Sequence, residues 1–209
     1  LTTVQFDGSI DGDGYTFAFA NAPEVLPVTV WGDVRNVYLD TGNIVDLTMN
    51  VEGYYLDLDG VTGADLTTLT FNQGQEYNDG GQIWLDIDGA ADVSSLETLT
   101  VLGAGNVDVD IDAAHVDDDM NALATVSVTA ADDATLNMYG YGSEGGSEGF
   151  TALQTVEVHA QNGDAWAFLS DVSGAFTLDV TAGSDATVHL IDTGATSATV
   201  AAAMDGEAD

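Results

Sequence analysis

Cysteine and basic residues are almost absent from this sequence. Its 209 residues include no cysteine, no lysine and one arginine, Arg35, against 36 aspartates and glutamates, so the formal net charge is −35. Without cysteine there is no disulfide framework and no thiol chemistry. Nucleic acids and anionic membrane surfaces are bound through basic contacts, which excludes both as partners. No run of about 18 apolar residues occurs, so we expect no insertion into a membrane.

The acidic composition is nevertheless not that of a disordered chain. Hydrophobic residues make up 45% of the sequence and the mean hydropathy is +0.09, enough to bury a core. Self-repulsion of this size destabilises a compact chain unless cations are bound. Either the surface is adapted to high salt or it holds specific divalent cations. The acids are 28 aspartates and only 8 glutamates, and aspartate is typical of turns and short-armed metal ligands, which favours the second explanation.

A six-residue phrase with the pattern Leu-x-Thr-Leu/Val-x-Val/Phe recurs along the chain. Its clear copies begin at Leu66, Leu96, Leu123 and Leu153, about 27 to 30 residues apart, which is the kind of period found in stacked repeats. Weaker copies are Leu1–Phe6 and Ala175–Val180. We therefore interpret the chain as a stack of similar units.

Each phrase is followed, after a turn, by a second run in which apolar and polar residues alternate. These runs are Tyr54–Leu58, Ile83–Ile87, Val107–Ile111, Ala134–Met138, Ala165–Leu169 and Ala186–Leu190. Alternation predicts strands with one buried face. We predict an all-β protein, a β-solenoid (β-helix) of about seven to nine stacked rungs with about 20 to 30 residues each. A β-sandwich is the alternative, because it also has regular short strands and turns.

We expect a single domain over residues 1–209. The repeats are regular over 47–195, and residues 1–46 form less regular N-terminal rungs. The two prolines, Pro23 and Pro27, predict a loop over residues 21–36 that leads into an edge strand. Residues 196–209 have few turn signals and form an end cap or a frayed tail.

The aspartates of the second strands have a spacing that suits metal binding. Alternation places them together on the outward side, and stacking in register brings carboxylates of successive rungs to about 4.8 Å. Like charges at that distance cost on the order of 1 kcal/mol each even in water. A Ca²⁺ ion binds carboxylate oxygens at about 2.3–2.6 Å and so spans the gap. We predict several structural Ca²⁺ ions among Asp57, Asp59, Asp86, Asp88, Asp108, Asp110 and Asp112.

Turns supply further candidate ligands. They are Asp7, Asp11, Asp13, Asp117, Asp119 and Asp132. Ser9-x-Asp11-x-Asp13-Gly14 is similar to the first half of an EF-hand loop, but Ala20 stands where that loop needs its bidentate Glu. We expect a shorter calcium turn there or a plain Gly-Asp turn. Arg35 is expected to pair with a nearby carboxylate such as Asp33 or Asp40.

The repeated phrase, followed by Gly-Ala-Gly-Asn-Val-Asp-Val at 103–109, resembles the repeats of calcium-dependent surface-layer and type I-secreted β-solenoid proteins of Gram-negative bacteria. The resemblance covers roughly residues 47–195. It implies an extracellular or cell-surface protein that folds on calcium after export and assembles with copies of itself into a lattice or filament. The glycine-rich calcium nonapeptides of that group are not present. We expect the strand Leu1–Phe6 to pair with another copy.

An enzyme is not expected. A polysaccharide lyase or hydrolase also uses paired aspartates on a β-helix, but here the pair recurs in several rungs, whereas a catalytic site is unique. A lyase also needs a basic residue near the bound sugar acid, and Arg35 is the only candidate. The histidines, His115, His159 and His189, lie in different repeats and form no zinc motif.

Two other binding functions remain open. Outward pairs of hydroxyl residues indicate an ice-binding face, which Glu157 and Asp179 interrupt in the later repeats. These pairs are Thr68/Thr70, Thr98/Thr100 and Thr125/Ser127. The three tryptophans, Trp31, Trp84 and Trp166, indicate instead a carbohydrate-binding adhesin with cell-surface polysaccharide as its partner.

Overall fold

The structure is a computed structural model that describes residues 4–7, 10–74, 81–88, 93–113, 120–140, 142–143, 146–147, 150–172 and 174–202. These residues form strands and turns without any helix, so none of them belongs to a helix that could cross a membrane. The strands are β1 Val4–Asp7, β2 Ile10–Ala18, β3 Val25–Trp31, β4 Val34–Asp40, β5 Asp46–Val51, β6 Tyr55–Thr62, β7 Thr68–Gln73, β8 Gln82–Asp88, β9 Thr98–Gly103, β10 Asn106–Ala113, β11 Thr125–Ala130, β12 Ala134–Gly140, β13 Gly142–Ser143, β14 Gly146–Ser147, β15 Thr155–Ala160, β16 Ala165–Ser170, β17 Thr177–Ala182, β18 Ala186–Ile191 and β19 Ser197–Ala202.

The strands are shared between two parallel sheets. Sheet A is nine-stranded, in the order β1-β3-β5-β7-β9-β11-β15-β17-β19, and sheet B is eight-stranded, in the order β18-β16-β12-β10-β8-β6-β4-β2. Only the short hairpin β13–β14 is antiparallel among the pairings of the described residues. Each rung thus gives one strand to each sheet and pairs with the rungs before and after it. The predicted β-solenoid is confirmed. The sandwich alternative is wrong, because the strands of a β-sandwich pair antiparallel, whereas those of both large sheets here pair in parallel.

The repeated phrase determines the register of sheet A. Its fourth position forms one buried column of Leu47, Leu69, Leu99, Val126, Val156 and Leu178. A slip of one residue would turn the whole column to solvent. Burying each Leu or Val side chain contributes about 1.5–3 kcal/mol, so the in-register stack is strongly favoured.

The first leucine of each phrase lies before the strand, in a turn. The amide of Leu66 donates to the carbonyl of Gly63 at 3.1 Å, and that of Leu96 donates to Val93 at 2.9 Å. Both leucine side chains are fully buried. The six-residue phrase therefore covers both the end of a buried turn and the first residues of the strand that follows it. Only its strand part follows the alternation of buried and outward residues.

The segment that contains the prolines is mostly strand. Val25–Trp31 forms β3 between β1 and β5, so the expected loop leading into an edge strand is wrong over these residues. Within the described part of the chain, β1 pairs with β3 only from Val28 onward. Pro27 lies within β3, in register with Thr48 of β5, and supplies no N–H to the ladder.

At the other end, part of the expected cap or frayed tail is a strand. Ser197–Ala202 forms β19, which pairs in parallel with β17. Leu190 and Val200, at positions that are buried in earlier rungs, are 38% and 49% exposed. The last described rung therefore continues the solenoid and presents apolar side chains along its edge.

Candidate cation-binding face

The outward side chains of sheet B lie in three columns that the parallel register defines. Column 1 consists of Asp57, Trp84, Asp108, Thr135, Trp166 and Thr187. Column 2 consists of Asp86, Asp110, Asn137, Phe168 and His189. Column 3 consists of Asp112, Tyr139, Ser170 and Ile191, and the backbone of Asp88 is in register with its first member. The face is acidic on β6, β8 and β10 and becomes aromatic on β12, β16 and β18.

Aspartates of neighbouring rungs stack at two places on this face. Asp86 lies opposite Asp110, and the backbone of Asp88 lies opposite that of Asp112. The expected vertical stacking is confirmed for the register of these two pairs. It is wrong for Asp57, which lies opposite Trp84. The pairing of the inward residues Leu56 and Ile83 sets this register, so Asp57 is two positions before the first aspartate of β8.

A groove of about 350 Å³ lies over the acidic part of the face. Its floor is formed by Leu58 and Leu85, and its polar lining by Asp57, Asp59, Trp84, Asp86, Asp108 and Asp110. The indole of Trp84 is 52% exposed and stands between Asp57 and Asp108 in column 1. The groove thus brings together five carboxylates from three successive rungs: two on β6, one on β8 and two on β10.

Asp108 is the least compensated carboxylate of the groove. Its burial, reinforced by the neighbouring charge of Asp110, raises the pKa of its carboxyl, and a hydrogen bond from the Trp84 side chain acts in the opposite direction. Its Oδ1 atom is buried and has no hydrogen-bond partner. A buried carboxylate oxygen without a partner is costly. Asp108 would therefore gain from a proton or a cation.

The carboxylates suit calcium as pairs rather than as larger clusters. Among the described residues, no group of three or more His, Asp and Glu side chains is placed to hold a metal ion. Stacked pairs such as Asp86 with Asp110 present oxygen ligands, which hard cations such as Ca²⁺ prefer. The Oδ1 atom of Asp108 is a buried acceptor on this face that has no hydrogen-bond partner. Water and main-chain carbonyls would have to complete the coordination shell.

Turn aspartates beside the face are used by the backbone instead. The amide of Asp133 donates to Asn106 Oδ1 at 3.1 Å, that of Asp164 to Asp133 Oδ1 at 2.8 Å, and that of Asp185 to Asp164 Oδ1 at 3.0 Å. Hydrogen bonds from the Asp185 backbone and from Ser184 lower the pKa of the Asp164 carboxyl. We call Asn106, Asp133, Asp164 and Asp185 the turn ladder. Sequence reasoning missed it, although an Asp that is followed by Ala ends the turn before the second strand in three successive rungs.

The remaining predicted ligands are more scattered. Asp132 adjoins the turn ladder, and its amide donates to the Gly105 carbonyl at 3.2 Å. Asp7 ends β1, while Asp11 and Asp13 lie within β2, so the turn expected there is wrong for Asp11 and Asp13. Their side chains, and all of Asp117 and Asp119, are outside what the structure describes.

The single arginine is already paired. Its guanidinium lies 3.3 Å from Asp33 Oδ2, as expected, and 3.7 Å above the ring of Tyr55. Arg35 is therefore not placed to neutralise the carboxylates of β8 and β10.

Two of the histidines also have neighbours: His159 hydrogen-bonds to Thr181, and the ring of His189 lies 4.8 Å from that of Trp166. His115 is not among the described residues.

The outward face of sheet A is different in character. One column consists of Thr68, Thr98, Thr125, Thr155, Thr177 and Ser197. A second runs through Thr48, Thr70, Thr100 and Ser127 and then meets Glu157 and Asp179. The predicted hydroxyl columns and their interruption are both confirmed. On β7, β9 and β11 the outward positions carry no charge, whereas those of β6, β8 and β10 carry six aspartates whose side chains the structure describes.

Comparison of the chain with protein-family models, with curated proteins and with solved structures gives no match in any of the three. The chemistry of the two faces is therefore the basis on which a function is assigned.

Proposed function

We propose that this chain is an extracellular structural β-solenoid, stabilised by several Ca²⁺ ions along the outer face of sheet B, and that copies of it assemble into a surface layer or filament. The observation that carries the calcium proposal is the stacking of Asp86 on Asp110 beside the buried, unpartnered oxygen of Asp108. The only arginine is engaged with Asp33, so this charge has no protein counter-ion among the described residues.

The energetics favour a divalent ion over simple screening. Two carboxylates one rung apart, at about 4.8 Å, repel by on the order of 1 kcal/mol in water and by more where the groove is less polar. A single Ca²⁺ between them replaces this repulsion with two attractive contacts at its preferred oxygen distances. Monovalent salt reduces the repulsion but makes no such bridge.

Self-assembly is proposed from the edges of the sheets. In the described residues β1 and β19 end sheet A, and β2 and β18 end sheet B, so each has a strand neighbour on one side only. Parallel edges can accept a strand of another copy. The two ends of the solenoid are different surfaces, so contact between them is head-to-tail and produces an open filament rather than a closed dimer.

Thermal melting followed by circular dichroism tests the calcium proposal. The full chain is melted in EGTA and in millimolar CaCl₂ at equal ionic strength, and again in high NaCl. We expect a large upward shift of the melting temperature with calcium that NaCl does not reproduce. An equal shift in NaCl would show a salt-adapted surface and would overturn the proposal. Light scattering in millimolar calcium tests assembly, and a strictly monomeric protein would contradict that part alone.

The hydroxyl columns of sheet A favour ice binding as a second candidate. They form a regular array with rungs about 4.8 Å apart and outward residues about 6.6 Å apart along each strand. Ice recrystallisation assays with the wild type and with Thr98→Tyr test this function. We expect inhibition that the substitution abolishes if the face binds ice, and equal behaviour of both proteins would exclude it.

A further inference from the structure

The aromatic part of sheet B is a second feature of the outer face. Four rings occupy outward positions on three successive strands: Tyr139 on β12, Trp166 and Phe168 on β16, and His189 on β18. Ring centroids are 5.3 Å apart for Tyr139 and Phe168, 4.8 Å for Trp166 and His189, and 6.3 Å for Phe168 and His189. We call these four residues the aromatic platform.

The platform is exposed although the core beneath it is complete. Tyr139 and Trp166 are each 39% exposed, while the alternating inward residues Leu136, Ala167 and Leu169 are fully buried. Rings on this side contribute little to the core, and leaving their apolar surface in water is unfavourable. Contiguous exposed aromatic surface of this kind marks a binding site.

The shape of the platform fits an extended ligand. The interplanar angles are 40°, 37° and 35°, so neighbouring rings are tilted moderately and form a continuous strip across the strands. Trp166 in column 1 of β16 and Tyr139 in column 3 of β12 are four strand positions and one rung apart, a span of about 14 Å at about 3.3 Å per residue and about 4.8 Å per rung. A sugar chain that contacts both rings would therefore cross the sheet obliquely and extend over more than one sugar unit.

Polar groups flank the rings in the way that sugar recognition requires. Thr135 and Thr187 adjoin Trp166 in column 1, and Asn137 adjoins Phe168 in column 2. Asn137 Nδ2 donates to Asp110 Oδ1 at 2.6 Å, which orients its amide. Sites for small polar ligands combine apolar surface with a few such placed groups. Hydroxyls and an amide beside ring faces match the alternating C–H and O–H surface of a pyranose.

Charge selects among the possible ligands. Burial raises the pKa of the Tyr139 hydroxyl, and the charges of Asp110, Asp112 and Asp108 raise it further. The same three carboxylates would repel an anionic ligand here. Yet no outward position of β12, β16 or β18, strands that the structure describes throughout, carries an acid. A cationic peptide would bind the carboxylates of β8 and β10 rather than this strip. An uncharged ligand is the one that suits it.

We propose that the aromatic platform binds a neutral, extended polysaccharide, with the ring faces of Trp166 and Tyr139 as its main anchors. This inference stands apart from the calcium proposal, since calcium acts on the acidic strands and the platform lies on the next three. It adds an attachment function to a protein whose other proposed contacts are with ions and with its own copies.

Affinity electrophoresis of the full chain in calcium tests this proposal. Native gels contain hydroxyethylcellulose, xyloglucan, galactomannan or dextran. Alginate is the acidic comparison, in a separate gel with EGTA, because calcium gels alginate and would neutralise the aspartates. We expect at least one neutral polymer to retard the wild type and alginate to have no effect. Trp166→Ala and Tyr139→Ala should weaken the retardation by about tenfold or more, as truncation of an aromatic anchor does.

Trp31→Ala is the matched control, because Trp31 is 45% exposed on the other sheet. It should bind like the wild type, and melting curves confirm that each variant is folded. The proposal is overturned if no neutral polymer retards the wild type, or if Trp166→Ala and Trp31→Ala bind equally well. It is also overturned if Trp166→Ala abolishes self-association or binding of polylysine while leaving the retardation unchanged.

Discussion

Individual aspartates of this protein have two opposite roles. Asp108 has a buried oxygen without a partner, lies beside Asp110, and has a raised pKa because of burial and that neighbour. Asp133, by contrast, accepts a hydrogen bond from the backbone of Asp164 at 2.8 Å. Removing the charge should therefore help the fold at one position, and removing the acceptor should harm it at the other.

We predict that Asp108→Asn stabilises the calcium-free protein. The substitution removes a half-buried charge and its repulsion by Asp110, while the amide oxygen can still accept the hydrogen bond from Trp84. The gain in the free energy of unfolding should be about 1 kcal/mol in EGTA, measured by urea denaturation. Asp65→Asn, an exposed turn acid, should change stability by less than about 0.5 kcal/mol. A clear loss of stability in Asp108→Asn would contradict this role.

The pH dependence of the calcium-free protein follows from the same group. Because the pKa of Asp108 is raised in the folded state, its contribution to stability is fully present below the unfolded value near 3.8 and is lost as pH rises through the folded value. Asp164, with its lowered pKa, contributes in the opposite sense as pH falls. We predict that acidification from neutral pH toward the aspartate range raises the melting temperature in EGTA, and by less in Asp108→Asn. The opposite trend in both proteins would refute the assignment.

The turn ladder should behave independently of calcium. Asp133→Ala leaves the amide of Asp164 without its acceptor, so we expect a loss of about 0.5–1.5 kcal/mol in the free energy of unfolding. Asp133→Asn retains an acceptor oxygen and should cost much less. Denaturation curves in EGTA and in calcium should give the same difference between the two variants. A loss seen only in calcium would instead make Asp133 a metal ligand.

At the scale of strands, the alternation of residues predicted correctly which side chains face outward, but it did not predict which residues of neighbouring rungs lie opposite each other. Period two alone places Asp86 and Asp110 on the outward side, so that part followed from the sequence. The vertical partners depend on where each turn ends, which composition does not reveal. The aspartates of β6 lie two positions earlier in their strand than those of β8, and Asp57 therefore meets Trp84. The turn ladder was detectable in principle, because an Asp-Ala pair recurs in its turns.

The stacked pair gives a prediction at this scale. Asp86→Asn combined with Asp110→Asn should raise the melting temperature in EGTA and reduce the further rise that calcium causes, since both the repulsion and a pair of ligands are lost. Asp65→Asn combined with Asp192→Asn removes the same charge from exposed turns. That control should keep the full calcium-induced rise. If the two double variants respond equally to calcium, only the total charge matters and the pair is not a site.

For the whole molecule, the two sheets divide the surface by charge. The outward positions of β7, β9 and β11 are neutral and mostly hydroxyl-bearing, and those of β6, β8 and β10 hold six aspartates with described side chains. The period of the repeated phrase favoured the solenoid over a β-sandwich, because a sandwich has no reason to repeat the same six residues, and the parallel pairing decides between them. The aromatic platform was not predicted as a unit. Tyr139, Phe168 and His189 come from three different repeats, and only the register brings them beside Trp166.

The most direct test is a crystal structure of the full chain grown in calcium, with anomalous diffraction used to locate the ions. We predict anomalous peaks on the outer face of sheet B, between the carboxylates of Asp86 and Asp110 and near Asp108. Crystals that diffract well but show no ion on this face, or show ions only at unrelated turns, would contradict calcium as the cation that holds the stacked rungs together.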